Sequence, residues 1–358
     1  MKTLNAILLA LAMTVAVAAT VGAAGVFNDF NDDGRSDIAV YHPPSGLWYV
    51  RSLTGGAIIW GKQWGYNGTL PVPADYDGDG ATDLGVYDPA SGVWYIWSHQ
   101  LQRIIAWNRS FGGAGFVPVP GDYDNDGSAD LGIYELATGR WSARRVSDDS
   151  VIFENFQWGW KGDVRTWEKP QTSTVIPVPY DFDRDGQTDI AVYYRGFSMA
   201  DSVWYIRGST GKWWFPTPNW GSSGSIPAPG MYRNVVDYNN YPAGVSIYKV
   251  KYSNAGDGTD GTFNTPYMFQ FKLGLYPRTL PVPGHDFDGN GWDDHAVYDY
   301  LSGNWTISFN DADGNANQQG TTYQQPPRQT FNWGFNGAVP ADIYSSIYKA
   351  CKYSIKPW

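Results

Sequence analysis

The chain has 358 residues, with 42 Gly, 18 Trp and 25 Tyr, only 17% charged residues and a formal net charge of −10. An acidic, sparsely charged chain is a poor partner for nucleic acid or an anionic membrane surface. So many turn formers beside so many aromatics favour short strands, and a single cysteine, Cys351, excludes an intrachain disulfide.

The N-terminal stretch "MKTLNAILLALAMTVAVAATVGAAG" has a short positive start at Lys2, an apolar run from Ile7 to Ala19, and small residues after it. This is the pattern of a secretory signal over residues 1–24, and the apolar run is too short for a membrane span. The expected location is therefore outside the cell or on its surface, with no membrane span left after cleavage.

From there the chain repeats itself. "PVPADYDGDGATDLGVYDPASGVWYI" (Pro71–Ile96) returns in related form, with acidic segments at Asp29–Tyr41, Asp75–Tyr87, Asp122–Tyr134, Asp181–Tyr193 and Asp286–Tyr298. Each is followed by a tryptophan (Trp48, Trp94, Trp141, Trp204, Trp305) and then by an aromatic-Gly pair: Trp64–Gly65, Phe111–Gly112, Trp158–Gly159, Trp220–Gly221 and Trp333–Gly334. A sixth unit, between Gly230 and Gly284, keeps "PAP" and "GVSIY" but has lost the acidic segment. The units start near residues 25, 71, 118, 177, 227 and 281, and "VPADIYSSIY" begins a seventh copy that stops at Trp358.

In the second unit, strands are predicted over Leu70–Tyr76, Thr82–Tyr87, Val93–Ser98 and Ile104–Phe111, with turn residues between them. No segment beyond the signal sustains a helical apolar period. Four short strands in about 50 residues, repeated, predict an all-β fold: a β-propeller of about six four-stranded blades. It would have seven if the C-terminal tail contributes to a further blade. A β-solenoid would want shorter units. The expected division is residues 25–341 as propeller and 342–358 as a partial repeat closing the ring. The recurring tryptophans are expected to be packing residues.

The acidic pattern D-x-[DN]-x-[DN]-G-x-x-D places oxygen donors at positions 1, 3, 5 and 9, with a glycine at 6 for the sharp turn, as in a calcium loop. Position 12, a glutamate ligand in an EF-hand, is here Val40, Val86, Ile133, Val192 or Val297, so the loop joins two strands. An all-oxygen set suits Ca²⁺ better than Zn²⁺. One cation per acidic loop gives about five Ca²⁺, each offsetting carboxylate repulsion.

These segments, "DFNDDGRSDIAVY", "DYDGDGATDLGVY" and "DFDRDGQTDIAVYY" with the "SGLWYV…QWG…PVP" spacer, resemble the FG-GAP/VCBS-type repeats of bacterial secreted proteins. Such repeats look like the calcium-binding blades of integrin α-subunit propellers and of some fungal lectins. The resemblance implies a propeller with Ca²⁺ in the blade loops and a role in adhesion or glycan binding. Carried over by position, the ligands are Asp29, Asn31, Asp33 and Asp37; Asp75, Asp77, Asp79 and Asp83; Asp122, Asp124, Asp126 and Asp130; Asp181, Asp183, Asp185 and Asp189; and Asp286, Asp288, Asn290 and Asp294. The unit with "MYRNVVDYNNY" departs from the pattern and is assigned no metal.

No catalytic motif is present, and His285 and His295, which flank one acidic loop, read as surface turn residues. Contact residues are expected where units depart from the repeat: Trp160 and Trp167 in the long connection after the third unit, and Trp213 and Trp214 in "GKWWFPTPNWG". The expected function is an extracellular binding or adhesion module for glycans or cell-surface partners, without enzymatic activity. A self-associating structural protein is the alternative, and a polysaccharide-active enzyme comes third.

Overall fold

The computed structural model describes residues 27–161, 175–182, 185–194, 203–209, 211, 213–214, 225–230, 246–251, 260–264, 270–275, 279–309 and 328–351. The predicted signal, Asp183 and Trp167 lie outside these residues. Among them, no helix is long and apolar enough to cross a membrane.

Among the described residues, six four-stranded antiparallel sheets follow one another along the chain. The second is typical, with strands Leu70–Pro71, Leu84–Asp88, Val93–Ser98 and Arg103–Ser110 in that order. Its first strand is buried, its third alternates along "VWYIWS", and its fourth is largely exposed. Four sheets carry the acidic loop between their first two strands, and in the first sheet it leads directly into Ile38–His42. The remaining one, Ser225–Gly230, Ser246–Lys251, Asp260–Asn264 and Gln270–Leu275, lacks it.

The recurring tryptophans form the sheet cores. Trp48, Trp94, Trp141, Trp204 and Trp305 are fully buried, each against a tyrosine of the neighbouring strand (Tyr41, Tyr87, Tyr134, Tyr193, Tyr298) at centroid distances of 4.9–5.4 Å. A buried indole N–H needs an acceptor. Trp48, Trp94, Trp141 and Trp305 donate to the carbonyls of Trp64, Phe111, Trp158 and Trp333 at 2.6–2.9 Å. The glycine that follows is required by close approach: a Cβ on Gly65 would lie 2.3 Å from the Tyr41 hydroxyl.

Sheet is joined to sheet by the aromatic-Gly element. Trp64 Nε1 donates to the Tyr95 carbonyl of the second sheet, and Trp158 Nε1 to that of Tyr205 in the fourth, both at 3.2 Å. Trp333 Nε1 of the last sheet donates to the Tyr49 carbonyl of the first at 3.4 Å, which brings the two ends of the chain together. The fold is an all-β propeller, with one short helix among the described residues.

The C-terminal segment does not build a seventh blade. Val339–Pro340 pairs with Val40 and Tyr41 and supplies the missing inner strand of the first sheet, next to Ile38–His42, Leu47–Arg51 and Ala57–Gln63. Residues Ile343–Ala350 then form a helix, α1, where the sequence predicted no helical period. Asp342 caps it by accepting from the Ser345 amide at 2.8 Å. The helix packs against the inner strands of several sheets. Ser346 Oγ donates to the Pro71 carbonyl, Tyr344 Oη to Pro179 and Tyr348 Oη to Pro227, at 2.5–2.6 Å. Three different sheets therefore dock on one helix, which fills the axis.

Ile347 is fully buried there. Ile347→Ala is expected to cost about 2–4 kcal/mol, the usual penalty for emptying a core aliphatic site, read as a lower urea midpoint. Asp342→Ala is expected to cost about 1 kcal/mol through loss of the cap.

Candidate metal loops and the opposite face

The acidic loops share one hydrogen-bond pattern. The position-1 aspartate accepts from the amide of position 5 through one oxygen and from the position-6 glycine through the other. In the second loop these are Asp79 N to Asp75 Oδ1 at 3.2 Å and Gly80 N to Asp75 Oδ2 at 2.9 Å. Asp29, Asp122, Asp181 and Asp286 do the same. The position-9 aspartate (Asp37, Asp83, Asp130, Asp189, Asp294) accepts from the position-2 amide at 2.7–2.9 Å through Oδ2. Position 5 (Asp33, Asp79, Asp126, Asp185, Asn290) accepts from the position-7 amide at 2.9–3.1 Å.

What these bonds leave over is informative. Asp83 Oδ1, Asp77 Oδ1 and Asp79 Oδ2 are buried without a hydrogen-bond partner, as are Asn31 Oδ1 and Asp37 Oδ1 in the first loop and Asp124 Oδ1 in the third. Three acidic triads, Asp75–Asp77–Asp83, Asp122–Asp124–Asp130 and Asp286–Asp288–Asp294, each bring one oxygen apiece within 4.8 Å of one another. Buried, unpaired oxygens converging on one point are the donor set a hard cation takes, so the residues present fit such an ion. Positions 1, 3 and 9 make the tight triad, while position 5 lies outside it. In the fourth loop Asp181, Asp185 and Asp189 occupy their places, Ser209 donates to Asp189 Oδ1 at 2.8 Å, and the position-3 residue is outside the described set.

Without a counter-charge these carboxylates resist ionisation. Burial pushes Asp83 and Asp130 up to about 8 and Asp37 up to about 7, against the pull of the position-2 amide, with neighbouring aspartates adding to the rise. Burial and the Asp286 charge raise Asp288 to about 6.

The loops are also linked to each other. The position-8 amide of one loop donates to the position-1 carbonyl of the loop before it: Ser36 to Asp286 (2.7 Å), and Thr82 to Asp29, Ala129 to Asp75 and Thr188 to Asp122 (all 2.6 Å). Between the fourth and last loops Tyr180 Oη donates to Asp293 Oδ2 at 2.6 Å. His285 and His295 are buried rather than the surface turn residues predicted. Phe27 and Phe287 pack on His285, and burial holds both imidazoles neutral, down to about pH 4 and 3.

Antiparallel order puts the connections between sheets at the end opposite the loops. There the second residue after the aromatic-Gly tryptophan is an exposed ring set edge-on to a tyrosine of the next sheet. Tyr66 meets Tyr95 at 6.2 Å, Trp160 meets Tyr205 at 5.1 Å and Phe335 meets Tyr49 at 5.4 Å. Trp107 and Trp60, 64% and 73% exposed, flank Tyr95 and Tyr49 from the outer strands. A polar or ring neighbour completes each groove: Asp88 accepts from Tyr66 Oη at 2.8 Å, His42 lies 5.2 Å from Phe335, and Tyr194 lies 5.7 Å from Trp160. Of the predicted contact residues, Trp160 is the one whose side chain is described, and it enters such a groove. Trp213 and Trp214 form the short fourth strand of their sheet, and their side chains are outside the described set. Sequence reasoning missed Tyr66, Phe335, Trp60 and Trp107, although the aromatic directly after Trp-Gly recurs and could have flagged the first two.

Comparison with known family models finds no match, and none is found among curated proteins. Among solved structures, the chain is similar to a lectin from Agrocybe aegerita described as recognising non-reducing terminal N-acetylglucosamine. The identity is 16%, over 86% of this chain and 79% of that one, with a TM-score of 0.47.

The buried position-9 aspartates Asp37, Asp83 and Asp130 make the response to a metal pH-dependent. Their folded-state pKa lies above the ordinary 3.8, so their contribution to metal-free stability is full in acid and is lost as pH rises through 7 to 8. A bound cation reverses that loss. The rise in Tm on adding Ca²⁺ is therefore expected to be larger at pH 8 than at pH 6, and Asp83→Asn is expected to lower the bound calcium count by one, read by elemental analysis.

Proposed function

We propose that this chain is a secreted, calcium-stabilised β-propeller of the FG-GAP/VCBS type that binds extracellular glycans, and that it is a binding module rather than an enzyme. The loops support the metal part. Every donor is an oxygen, and several are buried and unpaired, which suits Ca²⁺ better than Zn²⁺ or a water-rich Mg²⁺ site. About five such ions, one per acidic loop, would replace the cross-links that a chain with one cysteine lacks. The apolar N-terminal run supports export.

The observation that carries glycan binding is the recurrence of one groove at three sheet junctions. Each has an exposed ring on a tyrosine of the next sheet, and two add a flanking outer-strand tryptophan. Rings with apolar faces beside a few polar groups suit a sugar, which has a C–H face and a rim of hydroxyls. Repetition offers multivalent attachment to a surface that displays many copies of one sugar.

A glycan array followed by titration of the best hit tests this reading. Trp107→Ala and Trp160→Ala are each expected to weaken binding by about tenfold at their grooves, a change of about 1.4 kcal/mol. Trp107 is mostly exposed, so its variant should keep the parent Tm within a few degrees. Absence of any glycan binding, with oligomers that grow with concentration in sedimentation, would favour the self-assembling alternative. Turnover of a polysaccharide would favour an enzyme.

A further inference from the structure

The junction between the second and third sheets differs from the others. The ring directly after the aromatic-Gly pair is replaced by Gly113, and the tyrosine it would meet is Ser142. On the loop face of this same junction lies a pocket of about 340 Å³, lined by parts of both acidic loops and by three arginines, Arg103, Arg109 and Arg145. We propose that this pocket is an anion site, conditioned by the cations in the two adjacent loops, that takes the carboxylate or sulfate group of an acidic saccharide. The inference rests on the cation reading of the loops given above.

Two of the three arginines are held by carboxylates of the acidic loops. Arg103 Nη2 lies 3.1 Å from Asp77 Oδ2, and Arg145 Nε lies 2.5 Å from Asp124 Oδ2. Asp77 and Asp124 are the position-3 residues of their loops, and in each the other oxygen, Oδ1, is buried and unpaired. Each of these carboxylates thus stands between a guanidinium and the point where the triad converges. Arg109 reaches Asp149 at 3.4 Å.

Charge decides what the pocket accepts. Its lining carries three arginines against Asp77, Asp126 and Asp130, a formal balance of zero. One divalent cation in each loop adds four positive charges at the back of these carboxylates. The aspartates then answer the metal, and the guanidiniums are left with donors to offer. Arg103 has 59% of its side chain exposed while Asp77 has 6%, so the guanidinium is free to turn toward a ligand and the carboxylate is not. A guanidinium fork matches a carboxylate or sulfate with two parallel hydrogen bonds. Ile104, Ile105 and Val146 supply an apolar wall for the ring that bears the anion, and the volume suits one or two sugar units.

The test is calorimetric titration of the intact protein with three disaccharides: one bearing a glucuronate, one bearing a sulfate ester and one neutral. Each is run with Ca²⁺ and after EDTA, and far-UV circular dichroism verifies that the chelated protein stays folded. A parallel titration with Ca²⁺ alone counts the filled loops. The expected result is binding of one or both charged probes in Ca²⁺, none of the neutral probe at this site, and loss of binding in EDTA. The probe that binds identifies which anionic group is taken. Arg103→Gln and Arg109→Gln should each weaken binding by about tenfold and leave the Ca²⁺ count and any neutral-glycan binding of Trp107-type grooves unchanged. Filled loops with no charged-probe binding, or binding indifferent to the arginine variants or to EDTA, would overturn this proposal and leave the metal reading standing. Empty loops would overturn both.

Discussion

The interaction on which the rest depends is the amide-to-carbonyl bond that passes from one acidic loop to the next. At 2.6–2.7 Å it is the shortest recurring contact between sheets, and its acceptor belongs to the residue that organises the preceding loop. The position-1 aspartate therefore works twice. Its side chain gathers the amides of its own turn, and its backbone carbonyl receives the following blade. Any shift of that residue moves two blades, so the spacing of the sheets and the shape of the oxygen clusters form one mechanical system. Unpaired carboxylates at about 4 Å repel by roughly 4 kcal/mol at an effective dielectric of about 20. Such repulsion at the loop face is relieved either by protonation, which the raised pKa of Asp37, Asp83 and Asp130 favours, or by a cation.

The other end of the problem is closure, and here one short motif has two outcomes. "VPAD" ends in Asp75 in the second unit and in Asp342 near the C-terminus. After Asp75 come Asp77, Gly78, Asp79 and Gly80, which turn sharply and supply oxygens. After Asp342 come Ile343, Tyr344, Ser345 and Ser346, with no further acid and no glycine, and the same aspartate caps a helix instead. The strand before it completes the first sheet, and the helix after it gives the inner strands something to pack on. Two polar tyrosine tips and one serine meet backbone carbonyls that would otherwise face an empty axis. The chain is thus closed without a covalent link.

Much of this was legible in the sequence because a propeller repeats. The period, the strands within it, the core tryptophans and the register of the acidic side chains all follow from aligning the units with one another. The helix was not legible. Only Ile343, Ile347, Tyr344 and Tyr348 carry its period, over eight residues, and its likeness to a unit start concealed it. Nor was the burial of His285 and His295; His285 is covered by Phe27, which arrives from the far end of the chain. The grooves were half legible. Trp160 stood out in an irregular connection, but Tyr66 and Phe335 look like ordinary repeat residues until the next sheet's tyrosine is placed beside them.

The two faces divide the chemistry. The loop face gathers carboxylates, and its contacts are hydrogen bonds and ion pairs that answer to charge. The opposite face presents rings on rings, whose contacts are insensitive to a cation tens of atoms away. A metal in the loops would therefore act on the grooves only by holding the blades at their spacing. The junction of the second and third sheets breaks this division in both directions at once. It gives up the ring pair on one face, through Gly113 and Ser142, and gathers three arginines against two position-3 aspartates on the other. A blade junction relieved of one kind of surface has taken on the other, which is what a repeat scaffold permits: each interface between blades can change its contacts while the buried Tyr–Trp pair beneath it keeps the geometry fixed.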